Sequence, residues 1–193
     1  MTSIVGEQSP NAPAHRTPKR ISLEKFYQWK PVDGFKYEWV DGKIEKTTRS
    51  MTPDQQYIAL NLQDKFIPTK AFQQGDRLVV ETDATLSPRE VRRPDISLMT
   101  RHQIKECASG AAFLPAFAIE IISKNDNINK VREKLEAYFK SGVQVVWHIF
   151  PALKKVDVYT SPKKVVVLAE NDLCSAAPAV PDFEISVNDL FKI

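Results

Sequence analysis

Cysteine and histidine are scarce in this 193-residue chain, which has only Cys107 and Cys174 of the one and His15, His102 and His148 of the other. Neither cysteine stands at metal or redox spacing, and the histidines form no ligand motif, so a zinc-built site is not expected. Long apolar runs are absent too. No stretch approaches the roughly 20 residues that cross a bilayer, and no membrane partner is expected. The N-terminus lacks the basic-then-apolar pattern of a signal peptide, which together with the few cysteines points to a reducing cytoplasm. Net charge is low at +3, too little to demand a polyanion partner yet compatible with one if positive charges cluster. There are no internal repeats.

The chain does hold ordinary globular material, 42% hydrophobic and 26% charged, enough for one domain with a real core. Residues 1–20, with Pro10, Pro13 and Pro18 among polar residues, are expected to be a mobile N-terminal tail. Residues 21–193 are then the domain.

The stretch that organises the domain is Pro115–Tyr138. Glu120 stands among Phe117, Ile119, Ile121 and Ile122. A carboxylate in such a strand is disfavoured by desolvation unless a cation or hydrogen bonds compensate, and a metal ion would do so. The bland alternative is a buried glutamate paired with one lysine. Asp95 in Arg93-Pro94-Asp95-Ile96-Ser97 is a second candidate ligand, again an acid opening a short apolar strand. If the two strands pair, the carboxylates meet.

Local signals place the remaining elements. A short helix follows the Ser22 cap, with Leu23, Phe26 and Tyr27 as its packing face. Asp41-Gly42 joins Tyr37–Val40 to Lys43–Lys46 in a hairpin, because Asp-Gly accepts the positive φ angles of a two-residue turn. Thr52-Pro53-Asp54 opens a helix. Arg77–Leu86 and Asp95–Met99 are predicted strands, Thr100–Cys107 a helical turn or two, and Asn125-Asp126-Asn127 a cap for a helix over 128–140. Ile128, Val131, Leu135 and Tyr138 share one face of that helix. Val143–Phe150 reads as a central strand, so strand, helix and strand form a parallel crossover unit. Val156–Tyr159 and Val165–Leu168 form an edge hairpin, and 185–191 is a short closing element.

Tyr37-Glu38-Trp39-Val40-Asp41-Gly42, Met51-Thr52-Pro53, Arg93-Pro94-Asp95-Ile96-Ser97, Glu120-Ile121-Ile122-Ser123, Lys134, Tyr138, Gly142-Val143, Trp147 and Val180-Pro181-Asp182-Phe183, in that order and spacing, resemble the Uma family of bacterial proteins, assigned to the PD-(D/E)XK restriction-endonuclease-like superfamily. The resemblance spans nearly all of 21–191. It implies an α/β fold, a restriction-endonuclease-like mixed β-sheet flanked by helices. It also implies Asp95 and Glu120 as Mg²⁺ ligands, with Mn²⁺ as substitute. Lys134 takes the place of the usual strand lysine, and Glu38 is a further acidic site residue that would bind a second metal ion or its water. The expected activity is Mg²⁺-dependent endonucleolytic hydrolysis of DNA. The alternative is a catalytically inactive DNA-binding or regulatory module on the same scaffold.

The residues fit that chemistry. Phosphodiester hydrolysis uses a hard cation, and two carboxylates plus the Ile121 carbonyl suit Mg²⁺. Ile122 holds the place two residues after Glu120, where a strand lysine would stand, so the lysine comes from elsewhere. Lys134 lies on the margin of the helix's apolar face, and Lys124 is its competitor. Arg89, Arg92 and Arg93 adjoin Asp95 and are candidate phosphate-positioning residues. The chain departs from the family pattern at Gln55 and Gln56, where a histidine is usual, and at Lys130, Val145 and Phe150. A cut across both strands suggests a homodimer.

Overall fold

The computed structural model describes residues 20–31, 34–49 and 52–193. The expected tail, apart from Arg20, and Met51 of the Met51-Thr52-Pro53 motif lie outside them. In chain order the elements are α1 (Leu23–Gln28), β1 (Phe35–Val40), β2 (Lys43–Arg49), α2 (Pro53–Phe66), α3 (Lys70–Gln73), β3 (Arg77–Val80), β4 (Ala84–Ser87), β5 (Glu90–Arg92), β6 (Ile96–Met99), α4 (Arg101–Ala108), β7 (Phe117–Ile121), α5 (Ile128–Ser141), β8 (Val145–Phe150), β9 (Lys155–Ser161), β10 (Lys164–Ala169), β11 (Leu173–Ser175), β12 (Glu184–Ser186) and α6 (Val187–Leu190).

They build a six-stranded mixed sheet in the order β10-β9-β8-β7-β6-β3, a four-stranded sheet β2-β1-β5-β4 and a small β11-β12 pair. The β7-α5-β8 unit supplies the parallel pair of the large sheet, and its other neighbours run antiparallel. Strand alternation assigns the faces. Phe117, Ile119 and Ile121 point into the larger core, with Ile58, Leu62 and Phe66 of α2 and Leu190 of α6. Ala118 faces the other way, into the core made with Leu135 and Tyr138 of α5. Glu120 shares that second face, so the acid meets α5.

The four-stranded sheet is held by its own small core, in which Tyr37 and Trp39 pack on Phe26 of α1 and Val91 of β5. Alternation along β1 then turns Lys36 and Glu38 to the opposite side, away from α1, and both are buried there. The Asp41-Gly42 hairpin forms as expected, with φ of 49° and 81° at the two turn residues.

Three local expectations differ from the structure. Arg77–Leu86 is not one strand. Glu81 takes φ 45°, and the chain leaves the large sheet after β3 to place β4 in the other sheet. Ile128, the first residue of α5, is 56% exposed, and the helix buries Leu135 and Tyr138 instead. Tyr27 is also exposed, its hydroxyl bonded to Thr85 at 2.8 Å, while Phe26 is buried in the core and Leu23 packs against it.

Candidate functional site

Four elements, β1, β6, β7 and α5, bring acids and lysines to one point. The β6-β7 ladder pairs Ile96 with Ile119 and Ser97 with Ala118. Stepping that register back by one residue sets Asp95 opposite Glu120, and directly opposed residues of an antiparallel pair share a face. A further step sets Pro94 opposite Ile121. The Ile121 N–H points across to Asp95 and donates to its Oδ2 at 2.6 Å. The Ile121 carbonyl leaves the strand on the same side, where proline has no N–H to offer it. Asp95 is itself fixed through its carbonyl, which accepts from Glu81 N at 3.0 Å.

Helix α5 supplies the cation. Asn127 caps it through bonds from the Asn129 and Lys130 amides, ending the β7 connection in a tight turn, and Lys124 is left exposed. One turn of helix separates Lys134 from Tyr138, which aligns them on the side facing Glu120. Lys134 Nζ lies 2.8 Å from Glu120 Oε1 and 2.6 Å from Glu38 Oε1, and Tyr138 OH donates to Glu120 Oε1 at 2.6 Å. Glu38 Oε1 also accepts from Arg93 N at 2.8 Å, and its Oε2 from Arg92 at 3.1 Å. On Asp95, Lys36 Nζ sits 2.7 Å from Oδ1.

Electrostatics separate the two glutamates. Burial pushes both carboxyls up. Around Glu38, Lys134, Arg92 and Lys36 outweigh burial and bring it down to about 2. Around Glu120, burial prevails with help from Asp95 and Glu38, against Lys134 and Lys36, and the carboxyl stays above its ordinary range. Burial disfavours charge on Lys134, yet Glu120 and Glu38 together raise its ammonium above the usual lysine value. Burial and then the Glu120 charge raise the Tyr138 phenol, which keeps its proton and stays a donor. His148, cross-strand neighbour of Glu120 on β8, is lowered to about 4 by burial and by Lys134, and is neutral.

The cluster floors a cavity of about 470 Å³ whose lining includes Lys36, Glu38, Asp95, Glu120, Ile121 and Lys134, with Lys46 and Lys130 toward solvent. Among the described residues no three Asp, Glu, His or Cys side chains gather as a ready metal cage. The donors that converge are two carboxylates and a carbonyl, all hard oxygens. They fit Mg²⁺, which keeps several waters and takes few protein ligands, better than a softer ion.

The structure therefore brings Glu38, Asp95, Glu120, Ile121 and Lys134 together. It distributes the three arginines differently. Arg92 is buried among Glu38, Glu45 and Glu90, at 3.1, 3.0 and 2.7 Å. Arg93 pairs with Asp83, and Arg89 is exposed and pairs with Asp41. Glu38 likewise has both oxygens engaged, by Lys134 and the Arg93 amide on one and by Arg92 on the other, which suits holding Lys134 more than holding an ion. Gln55, at a departure from the family pattern, lines the cavity and closes the capping box of α2 with Thr52. Val145 is core, and Phe150 ends β8.

Two residues were missed in the sequence. The spacing puts Tyr138 on the apolar face of the helix and the resemblance includes it, but neither assigns its hydroxyl, the polar end that an aromatic one helical turn beyond Lys134 presents. Lys36 belongs to none of the motifs, yet it stands two residues before Glu38 in one strand and so faces the same side.

A family model described as "putative restriction endonuclease", that of Uma2, matches residues 23–188. Among solved structures, a crystal structure of a "putative nuclease belonging to DUF820" from Anabaena variabilis is similar, at 24% identity and a TM-score of 0.74, over 89% of this chain and 97% of that one. This likeness establishes the mixed-sheet fold. No curated protein matches the chain. Among the described residues no helix is long and apolar enough to cross a membrane.

Proposed function

The chain belongs to the Uma2 family, and from that premise we propose that it is a Mg²⁺-dependent endonuclease that hydrolyses phosphodiester bonds of DNA in the cavity floored by Asp95, Glu120 and Lys134. The observation that carries the reading is the juxtaposition on one sheet face of two opposed carboxylates and a lysine from the crossing helix, with the Ile121 carbonyl facing proline. Asp95, Glu120 and the Ile121 carbonyl would hold the ion, which when bound supplies electrostatic stabilisation of charge on the phosphate.

The chain's own groups do the rest. Lys134 keeps its proton in the presence of two carboxylates and directs positive charge at the reacting phosphate, where charge grows in the transition state. Glu38 and Tyr138 hold that lysine and Glu120 in register, Glu38 through its bond to Nζ and Tyr138 through its bond to Oε1. Lys46 and Lys130 at the mouth, with Arg89 outside it, meet the DNA backbone by charge. Pairing as a homodimer would set two such sites on a duplex, and a cytoplasmic location fits the free thiols.

Single-turnover cleavage of DNA of diverse sequence tests this. The parent is expected to cut in Mg²⁺ or Mn²⁺ and not in EDTA, and Asp95→Asn to lose at least about 100-fold in rate. Cleavage that persists in EDTA or in Asp95→Asn refutes the assignment. Binding of DNA without cleavage by the parent favours the inactive DNA-binding module instead.

A further inference from the structure

Lys36 has no part in the activity proposed above, yet it is buried at the site's centre. Its ammonium lies 2.7 Å from Asp95 Oδ1, and the two side chains are 9% and 10% exposed. The other Asp95 oxygen accepts the Ile121 N–H at 2.6 Å. The backbone donor leaves a lone pair on Oδ2 and is compatible with a cation at the carboxylate. The ammonium is not, because a dication within about 4 Å of it would meet strong like-charge repulsion in a low-dielectric pocket.

Lys134 presents no such conflict. It bridges Glu38 and Glu120 through one oxygen of each, both named Oε1, so Glu120 keeps its second oxygen for another partner. Lys36 differs in that it sits on a carboxylate whose other oxygen already has the Ile121 N–H, so an ion that takes Asp95 competes with it directly.

We propose that Lys36 is the resident counter-ion of Asp95 in the metal-free protein, a placeholder that the divalent ion must displace, and so a positioning residue that sets the metal affinity of the site. This rests on the metal-dependent reading given above. Metal-free, the ammonium keeps Asp95 from being a buried unpaired charge and holds it in the position the ion requires. Metal-bound, the ammonium swings on its four-carbon stem into the cavity that Lys36 lines, where a DNA phosphate is the anion to meet it. Ion and substrate then favour each other, since each removes a competitor for the other's partner.

Lys36→Met keeps the stem and removes the charge. Mn²⁺ titration, followed by electron paramagnetic resonance of the free ion, is expected to show about tenfold or more tighter binding in Lys36→Met than in the parent. Without metal, Lys36→Met is expected to melt below the parent, and saturating Mn²⁺ to close the gap. Lys36→Arg, which keeps the charge, is expected to bind Mn²⁺ no more tightly than the parent. Equal or weaker affinity in Lys36→Met overturns the placeholder while leaving the metal site standing. Absence of Mn²⁺ binding in both proteins overturns the placeholder and the metal-dependent reading together. The parent gives an independent readout should Lys36→Met fail to fold. Acetylation of Lys36 by an amine reagent, quantified by mass spectrometry, is expected to rise when Mn²⁺ is added, and unchanged protection overturns the proposal.

Discussion

Lys134→Met is expected to cost the fold about 3–5 kcal/mol and to lower single-turnover cleavage by at least about 100-fold. The stability loss follows from what the ammonium touches. It stands 2.6 Å from Glu38 and 2.8 Å from Glu120, both almost wholly buried, and a methionine there leaves two carboxylates facing an apolar stem. From the sequence alone, with Lys134 on the margin of the helix face, the substitution would be expected to leave folding nearly intact. The structure reverses that expectation because the lysine is the shared counter-ion of two acids. Urea denaturation measures the first effect. The double substitution Glu38→Gln with Lys134→Met separates it from the second. Removing one of the stranded acids should return part of the stability and none of the cleavage, because the charge aimed at the phosphate is still missing. A Lys134→Met protein as stable and as active as the parent contradicts both roles.

Arg92→Met is expected to be comparably destabilising, about 3–5 kcal/mol, and to change the acid limb of stability. Arg92 is 6% exposed and satisfies Glu38, Glu45 and Glu90 at once. Its charge is one of the reasons the Glu38 carboxyl lies at about 2, below the ordinary glutamate value of 4.5. A carboxyl whose folded value is depressed adds stability that is fully present above its unfolded value. That stability is lost as pH falls from about 4.5 through about 2. Without Arg92 the Glu38 value rises toward the unfolded one, so this pH-dependent contribution shrinks and the acid limb of Arg92→Met is flatter than the parent's. Arg89→Met, at an exposed pair, should cost under about 1 kcal/mol and act on DNA binding by lowering its salt slope. Denaturation at pH 7 and between pH 5 and 3 checks the stabilities. An Arg92→Met protein of parental stability with a reduced salt slope would return Arg92 to the phosphate-contacting role that its place in sequence suggests.

These two residues show where sequence reading reaches its limit. The acid in an apolar strand, the helix after it and the parallel strand beyond are local features, and Glu120, α5 and β8 were all legible in the run from Pro115 to Phe150. So was the Asp41-Gly42 hairpin, whose turn chemistry lies in two adjacent residues. The pairing of Asp95 with Glu120 was legible only as a condition, since a strand pattern does not name its neighbour. Neither the sheet that receives β4 nor the burial of Arg92 by three acids from β1, β2 and β5 has any local signature. Arg89, Arg92 and Arg93 look alike in sequence, and the alternation of β5 and the chain's exit from it send them to different environments. Lys36 was within reach, because whatever turns Glu38 inward turns a residue two positions earlier inward as well.

The central claim, that these side chains form a metal-dependent phosphodiesterase site, is tested most directly by locating a metal ion. Crystals of the parent soaked in Mn²⁺ and measured at the manganese absorption edge are predicted to show one anomalous peak bounded by Asp95, Glu120 and the Ile121 carbonyl, with metal–oxygen distances of about 2.1–2.3 Å, and no peak there in Asp95→Asn. A peak elsewhere, or an empty cavity with Lys36 still seated on Asp95 at saturating Mn²⁺, contradicts it.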